Sequence, residues 1–127
     1  MNTDKEFVPY QQSLDMKELG FDEPCFKGYT EEYKTLINIS NTHTNLSVKN
    51  TLPTKPFTAP LYQQAFRWFR EKYQLDSSIA LVANGYGFYI HKNRNYTNKG
   101  ESYGMYITYE EAELACLNKL IEIVNNK

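Results

Sequence analysis

Apolar and polar positions recur along this chain with two different periods, and the switches between them mark its elements. The firmest helical pattern is "ITYEEAELACLNKLIEI", residues 107–123. Ala112, Cys116, Leu120 and Ile123 form one stripe, and Leu114, Leu117, Ile121 and Val124 form a neighbouring one. So broad an apolar face predicts a helix well buried against a sheet. Thr108 and Glu111 have capping-box spacing: the hydroxyl accepts from the Glu111 amide, and the carboxylate reaches back to the Thr108 amide. Glu110, Glu111 and Glu113 suit the positive end of the helix dipole. A second amphipathic pattern is "TAPLYQQAFRWFREKYQLD", where Leu61, Ala65, Phe69 and Tyr73 recur at four-residue spacing and Tyr62, Phe66 and Trp68 widen the face. Thr58 is its expected N-cap, with Pro60 in the first turn.

Between these helices the period shortens to two. "SIALVAN", "YGFYIHKN" and "SYGMYIT" read as three strands. A turn at Asn84-Gly85 and the connection "NRNYTNKGE" make them an antiparallel meander. Upstream, Pro9, Tyr10, Leu14 and Leu19 predict a short helix over 9–19. Gly20 takes the left-handed position that stops it, and Phe21 makes the accompanying hydrophobic contact. "CFKGY" and "KTLINIS" permit a hairpin. Residues 41–57, rich in Asn and Thr with two prolines, read as a loop or linker. A structureless stretch of that length is either mobile or functional. The elements give an α+β fold in a single domain, 1–127. A helix and hairpin in 1–40 and the 41–57 loop precede an α-β-β-β-α unit over 58–127.

Composition sharpens this picture. Aromatic residues make up 15% of the chain, with eleven Tyr and seven Phe. The core must therefore be rich in rings, which bury much area per residue and can also present sticky surfaces. Residues 1–59 hold six Lys against eight acids, and residues 60–127 hold eight Lys or Arg against seven acids. Neither half carries the positive field of a general nucleic-acid binder. Two cysteines make neither a disulfide framework nor a metal quartet. The start "MNTDKEFVPY" lacks the apolar run of a signal peptide. No stretch approaches the roughly 20 apolar residues of a membrane span. The expected setting is a bacterial cytoplasm, with reduced thiols and no membrane attachment.

The candidates for chemistry are few. Cys25 sits beside Asp22 and Glu23, which disfavour a thiolate, and no cation is near in sequence. Cys116 lies on an apolar stripe, which explains it as core. His43 and His91 show no ligand spacing with the cysteines. The acids at 110–113 are accounted for as helix-start charge. "NGYGF" lacks the phosphate-loop pattern and the helix that should follow. No catalytic constellation emerges, so the reading is non-enzymatic, with no cofactor and no metal.

Two stretches could bind. No acid occurs from Ser77 to Gly100, and His91, Lys92, Arg94, Tyr96 and Lys99 cluster there. Such a hairpin can clasp a phosphate-bearing ligand by ionic contacts and by stacking on Tyr96; it also fits an ordinary solvated tip. Phe66, Arg67, Trp68 and Arg70 are residue types that anchor protein interfaces. The three rings Phe66, Trp68 and Phe69 cannot share one narrow stripe, so one of them can emerge at a contact.

Two resemblances add to this. The α-β-β-β-α order of 58–127 resembles the double-stranded RNA-binding domain, whose last helix carries lysines that reach phosphates. Here the matching turn, "TYEEAEL", carries Glu110, Glu111 and Glu113, and carboxylates repel phosphate. On this face the helix is expected to fill a core. "KELGFDEPCF", "APLYQQAFRWFREKY" and "YEEAELACLNKLIEI", about a third of the chain, are similar to a family of short uncharacterised proteins of Bacteroidota phages and prophages. That resemblance implies a phage-associated cytoplasmic accessory protein and supplies no catalytic residues. The expected function is binding to a protein partner, either a host protein or a second copy in a homodimer. The alternative is a nucleic-acid or nucleotide binder using the 91–99 hairpin.

Overall fold

A computed structural model describes residues 4–30, 34–39, 45, 56–92 and 101–126. Within them lie three α-helices and two three-stranded antiparallel sheets, an α+β architecture. The chain groups into two compact units, 1–62 and 63–127.

The first unit contains a 3-10 turn (Asp4–Glu6), helix α1 (Tyr10–Glu18) and strands β1 (Lys27–Tyr29), β2 (Leu36–Asn38) and β3 (Phe57–Ala59). Pro9 stands at the N-cap of α1, where its missing N–H costs nothing. The helix ends as its sequence predicts. Gly20 has φ +100, its N–H bonds the carbonyl of Lys17, and the N–H of Phe21 bonds the carbonyl of Met16. This is a Schellman stop, and Phe21 and Met16 are both fully buried beside it. Each such side chain stabilises by roughly 1.5–3 kcal/mol relative to exposure.

The predicted hairpin is present: β1 and β2 pair with Gly28 opposite Ile37. A third strand joins it. β3 pairs with the other edge of β1, Tyr29 opposite Phe57 and Gly28 opposite Thr58, in the order β2-β1-β3. This corrects two expectations. Phe57 is strand and not the end of a loop, and Thr58 is a fully buried strand residue, so it caps no helix. Pairing to a distant partner outweighs the local capping preference of a threonine. The rest of 41–57 lies outside the described residues, apart from Asn45 and Pro56. Asn45 is buried, donates to the Phe21 carbonyl at 2.7 Å and accepts from the Thr58 N–H at 2.9 Å. Tyr29, Phe57 and Ala59 form the core here, with Tyr10, Leu14 and Leu36 against them. Tyr10 meets Tyr29 and Phe57 edge-on at 5.6 and 5.3 Å. The Val8 carbonyl accepts from both Ser13 and Tyr29 hydroxyls.

Helix α2 (Tyr62–Tyr73) opens at the boundary between the units, so Pro60 precedes the helix and is not in its first turn. Strands β4 (Leu75–Val82), β5 (Gly85–Lys92) and β6 (Glu101–Tyr106) follow, then α3 (Tyr109–Asn125). The sheet is the expected meander, β4-β5-β6. Its first connection is Ala83-Asn84, one residue earlier than expected, because Gly85 already pairs with Val82. Asn84 takes the positive φ (+67) that Asn tolerates. On β6 the register slips by one residue between the partners of Tyr86 and Phe88. Gly104, at φ +64, occupies that bulge and supplies a backbone that a side chain would strain. α3 packs across all three strands. It buries Ala112, Cys116, Leu117, Leu120 and Ile121, so its broad face does fill a core.

Candidate functional site

The helix α3 gives the second unit two ends with different chemistry. Thr108 caps it, its hydroxyl accepting from the Glu111 N–H at 3.1 Å. Tyr109, in the first turn, meets the Tyr86 ring edge-on at 5.6 Å. Cys116, in the middle, is hydrogen-bonded to the Ser77 hydroxyl of β4. Lys119, Glu122, Ile123 and Asn126, in and just past the last turns, line a groove with Leu75 and Lys92. With seventeen residues the helix spans about 25 Å at 1.5 Å per residue.

Near the first end, several large apolar side chains reach solvent. Leu81 is 78% exposed, Ile107 83%, Met105 64% and Tyr109 44%. Tyr86 lies directly across from Leu81 on β4 and from Tyr106 on β6, and its ring meets Tyr109, so these share the helix side of the sheet, while Met105, next to Tyr106, faces the other side. The Met105 Cγ lies 3.8 Å from where a side chain on Gly85 would begin. A lone exposed leucine needs no explanation, but Leu81 beside Tyr86 and the half-exposed Tyr109 makes a small apolar group of the kind that interaction surfaces use. Glu110, Glu111 and Glu113 follow Tyr109 in the first turns of α3. Burial holds the Tyr109 hydroxyl above its ordinary pKa of 10.0, and the charge of Glu113 adds to this, as do those of Cys116 and Glu110.

At the other end, Tyr73, Leu75, Lys92, Lys119, Glu122, Ile123 and Asn126 surround a groove of about 370 Å³. Lys119 is 3.4 Å from Glu122, which offsets its charge. The exposed Lys92 ends β5, opposite Leu75, and half-buried His91 precedes it, opposite Asp76. Arg94, Tyr96 and Lys99 lie outside the described residues, as does His43.

The aromatic helix resolves in favour of the interior for its largest ring. Trp68 is buried, edge-on to Phe69 at 5.0 Å and to Tyr73 at 5.4 Å, with the Lys72 ammonium 5.3 Å above it. Of the expected interface residues, Phe66 is half-buried, while Arg67 and Arg70 are exposed. Arg67 stands 4.0 Å from Glu71, one turn on. Sequence reasoning missed the exposure of Leu81 and Ile107, because each is an ordinary apolar residue of a strand or a helix start.

Both thiols are buried. Cys25 donates weakly to the Glu23 carbonyl at 3.5 Å. Burial pushes the Cys116 thiol up to about 12, Glu113 adding to the rise and the Ser77 hydrogen bond opposing it. Among the described residues no three of His, Cys, Asp and Glu gather as a metal would require, and no helix is long and apolar enough to cross a membrane. Scans against models of known families, curated proteins and solved structures find no match.

Proposed function

We propose that this chain is a non-enzymatic accessory protein of the phage type, acting in a bacterial cytoplasm by binding a protein partner. The observation that carries this reading is the exposed apolar residues near the start of α3: Leu81 across from Tyr86, whose ring meets Tyr109, and Ile107, 83% exposed. It adds to the expected contact residues of α2, where Phe66 is half-buried and Arg67 and Arg70 are exposed while Trp68 is buried. The apolar area of such residues, at about 25 cal/mol per Å², is released from water only when a partner covers it. Expression of the tagged protein in a Bacteroidota host, followed by capture with and without nuclease, tests the reading. The expected result is a stoichiometric protein that survives nuclease and is lost in the Leu81→Ser/Ile107→Ser double variant. Capture that is indifferent to that variant would overturn it.

A second reading is favoured by Lys92 and Lys119 lining one groove with Tyr73: a nucleic-acid or nucleotide binder. Two cations, one of them facing Glu122, release few counterions, so binding by this groove alone would be weak. This reading predicts recovered nucleic acid that disappears on nuclease treatment, at raised salt and in Lys92→Ala/Arg94→Ala.

A further inference from the structure

We propose that strand β4 is an interaction edge, and that its occupant is a second copy of this chain, paired β4 to β4 about a two-fold axis. The inference goes beyond the protein-binding reading above, since it needs no host protein. The two sheets have four edge strands, β2, β3, β4 and β6. Short strands, prolines and bulges are devices that keep such edges from pairing. β2 and β3 are three residues each, and β3 lies between Pro56 and Pro60. β6 is interrupted by the Gly104 bulge. β4 has none of these features. It runs eight residues in unbroken register with β5, from Leu75 opposite Lys92 to Val82 opposite Gly85. It contains no Lys, Arg, Pro or Gly, and its one charge is Asp76. Among the described residues β5 is the only strand beside it. Ser78 and Leu81 are exposed, and no residue from Asp76 to Val82 is buried.

The register fixes which groups this edge offers. Val82 and Gly85 flank a two-residue turn and so exchange their main-chain hydrogen bonds. By alternation, Ser77, Ile79 and Leu81 turn their N–H and C=O groups away from β5. The side chains of these three share the helix side of the sheet, because Ser77 is hydrogen-bonded to Cys116 of α3. Such an edge accepts an extended strand, which nucleic acid cannot supply. β4 is itself an extended strand, and it matches its own edge. In an antiparallel pair centred on Ile79, Ser77 of one copy faces Leu81 of the other, and about six main-chain hydrogen bonds form. Ile79 packs on Ile79 of the second copy, and the exposed Leu81 lies diagonal to it. Ser78 meets Ala80 on the opposite face, where both side chains are small. Each Asp76 falls opposite Val82, so the two acids sit at opposite ends of the pair; parallel pairing would set them side by side. The two-fold arrangement uses the β4 edge of both copies and leaves only the bulged β6 edges outside, so growth of this sheet stops at a dimer.

Amide exchange of the full-length protein, followed by NMR from dilute to concentrated solution, tests this. The expected result is slowing with concentration at Ser77, Ile79 and Leu81, while Ser78, Ala80 and Val82 are protected throughout by β5. Sedimentation over the same range should show monomer and dimer in equilibrium, since a strand pair of this length buries less than a standard interface. Leu81→Pro removes an outward N–H and leaves the bonds to β5, so it should weaken the dimer by about tenfold or more. The exposure of Leu81 favours a kept fold, which circular dichroism checks. Ile79→Cys places a thiol on the two-fold axis, and mild oxidation should link it to its copy. Ile107→Cys, 83% exposed and outside β4, should stay unlinked. The native thiols are buried and do not compete. A chain that stays monomeric at the highest concentration, or a dimer in which those three amides exchange as in the monomer, would overturn the pairing; the capture experiment above would still decide host binding. Slowing at the three amides only when an extended segment of a host protein is added would reassign the edge to that segment.

Discussion

Gly28 has no room for a side chain. A Cβ there would stand 2.5 Å from the Phe57 carbonyl oxygen, and that oxygen belongs to a paired strand that cannot swing aside. Gly28→Ala should therefore destabilise the protein by about 1–3 kcal/mol, read from the denaturant midpoint. Asn45 carries a comparable burden with a side chain. Its removal in Asn45→Ala takes a hydrogen-bond partner from the Phe21 carbonyl and from the Thr58 N–H in a buried place, a loss of about 2–4 kcal/mol in the same measurement. Cys116 makes stability depend on alkaline pH. Its folded thiol holds its proton to about 12 against an ordinary 9.0. Its contribution is thus complete below pH 9 and is lost as the pH climbs from 9 toward 12, since the unfolded chain gives up the proton first. Cys116→Ala should flatten the fall of stability across that window; an unchanged slope would show that other groups cause it.

At the level of elements, what could be read from the sequence was what is local. The Gly20 stop, the Thr108 cap and the broad face of α3 each depend on residues within one or two turns, and each is present. Thr108→Ala should cost about 1 kcal/mol, and the loss should appear first as faster amide exchange at Glu111. What could not be read depends on distant partners. β3 is three residues between two prolines, too short to show alternation, and it becomes a strand only because β1 offers it an edge. The candidate surface failed for a related reason. Periodicity places Leu81 on the same strand face as Leu75 and Ile79, but it does not say where the covering helix begins. α3 starts beside Tyr86, so Leu81, near the end of β4, falls past the helix and stays exposed.

Across the whole molecule, the two units differ in how far apart their paired residues lie. The sheet of the second begins at a two-residue turn, with Val82 opposite Gly85. The sheet of the first needs Tyr29 to find Phe57. Closing the longer loop costs more entropy before any contact repays it. Pulse-labelled hydrogen exchange during refolding should therefore protect β4 and β5 amides before those of β1 and β3; the reverse order would show that the first unit nucleates folding. Asn45 adds a consequence for the chain's fate if it is sent through a eukaryotic secretory pathway. It begins the triplet Asn45-Leu46-Ser47, the acceptor sequence for N-linked sugar. The nitrogen that would take the glycan is the one buried against the Phe21 carbonyl. A folded molecule hides its acceptor, and a glycosylated one has lost the bridge between two parts of its first unit. A sugar at Asn45 would thus mark the molecules that the transferase reached before they folded, and would hold them in that condition.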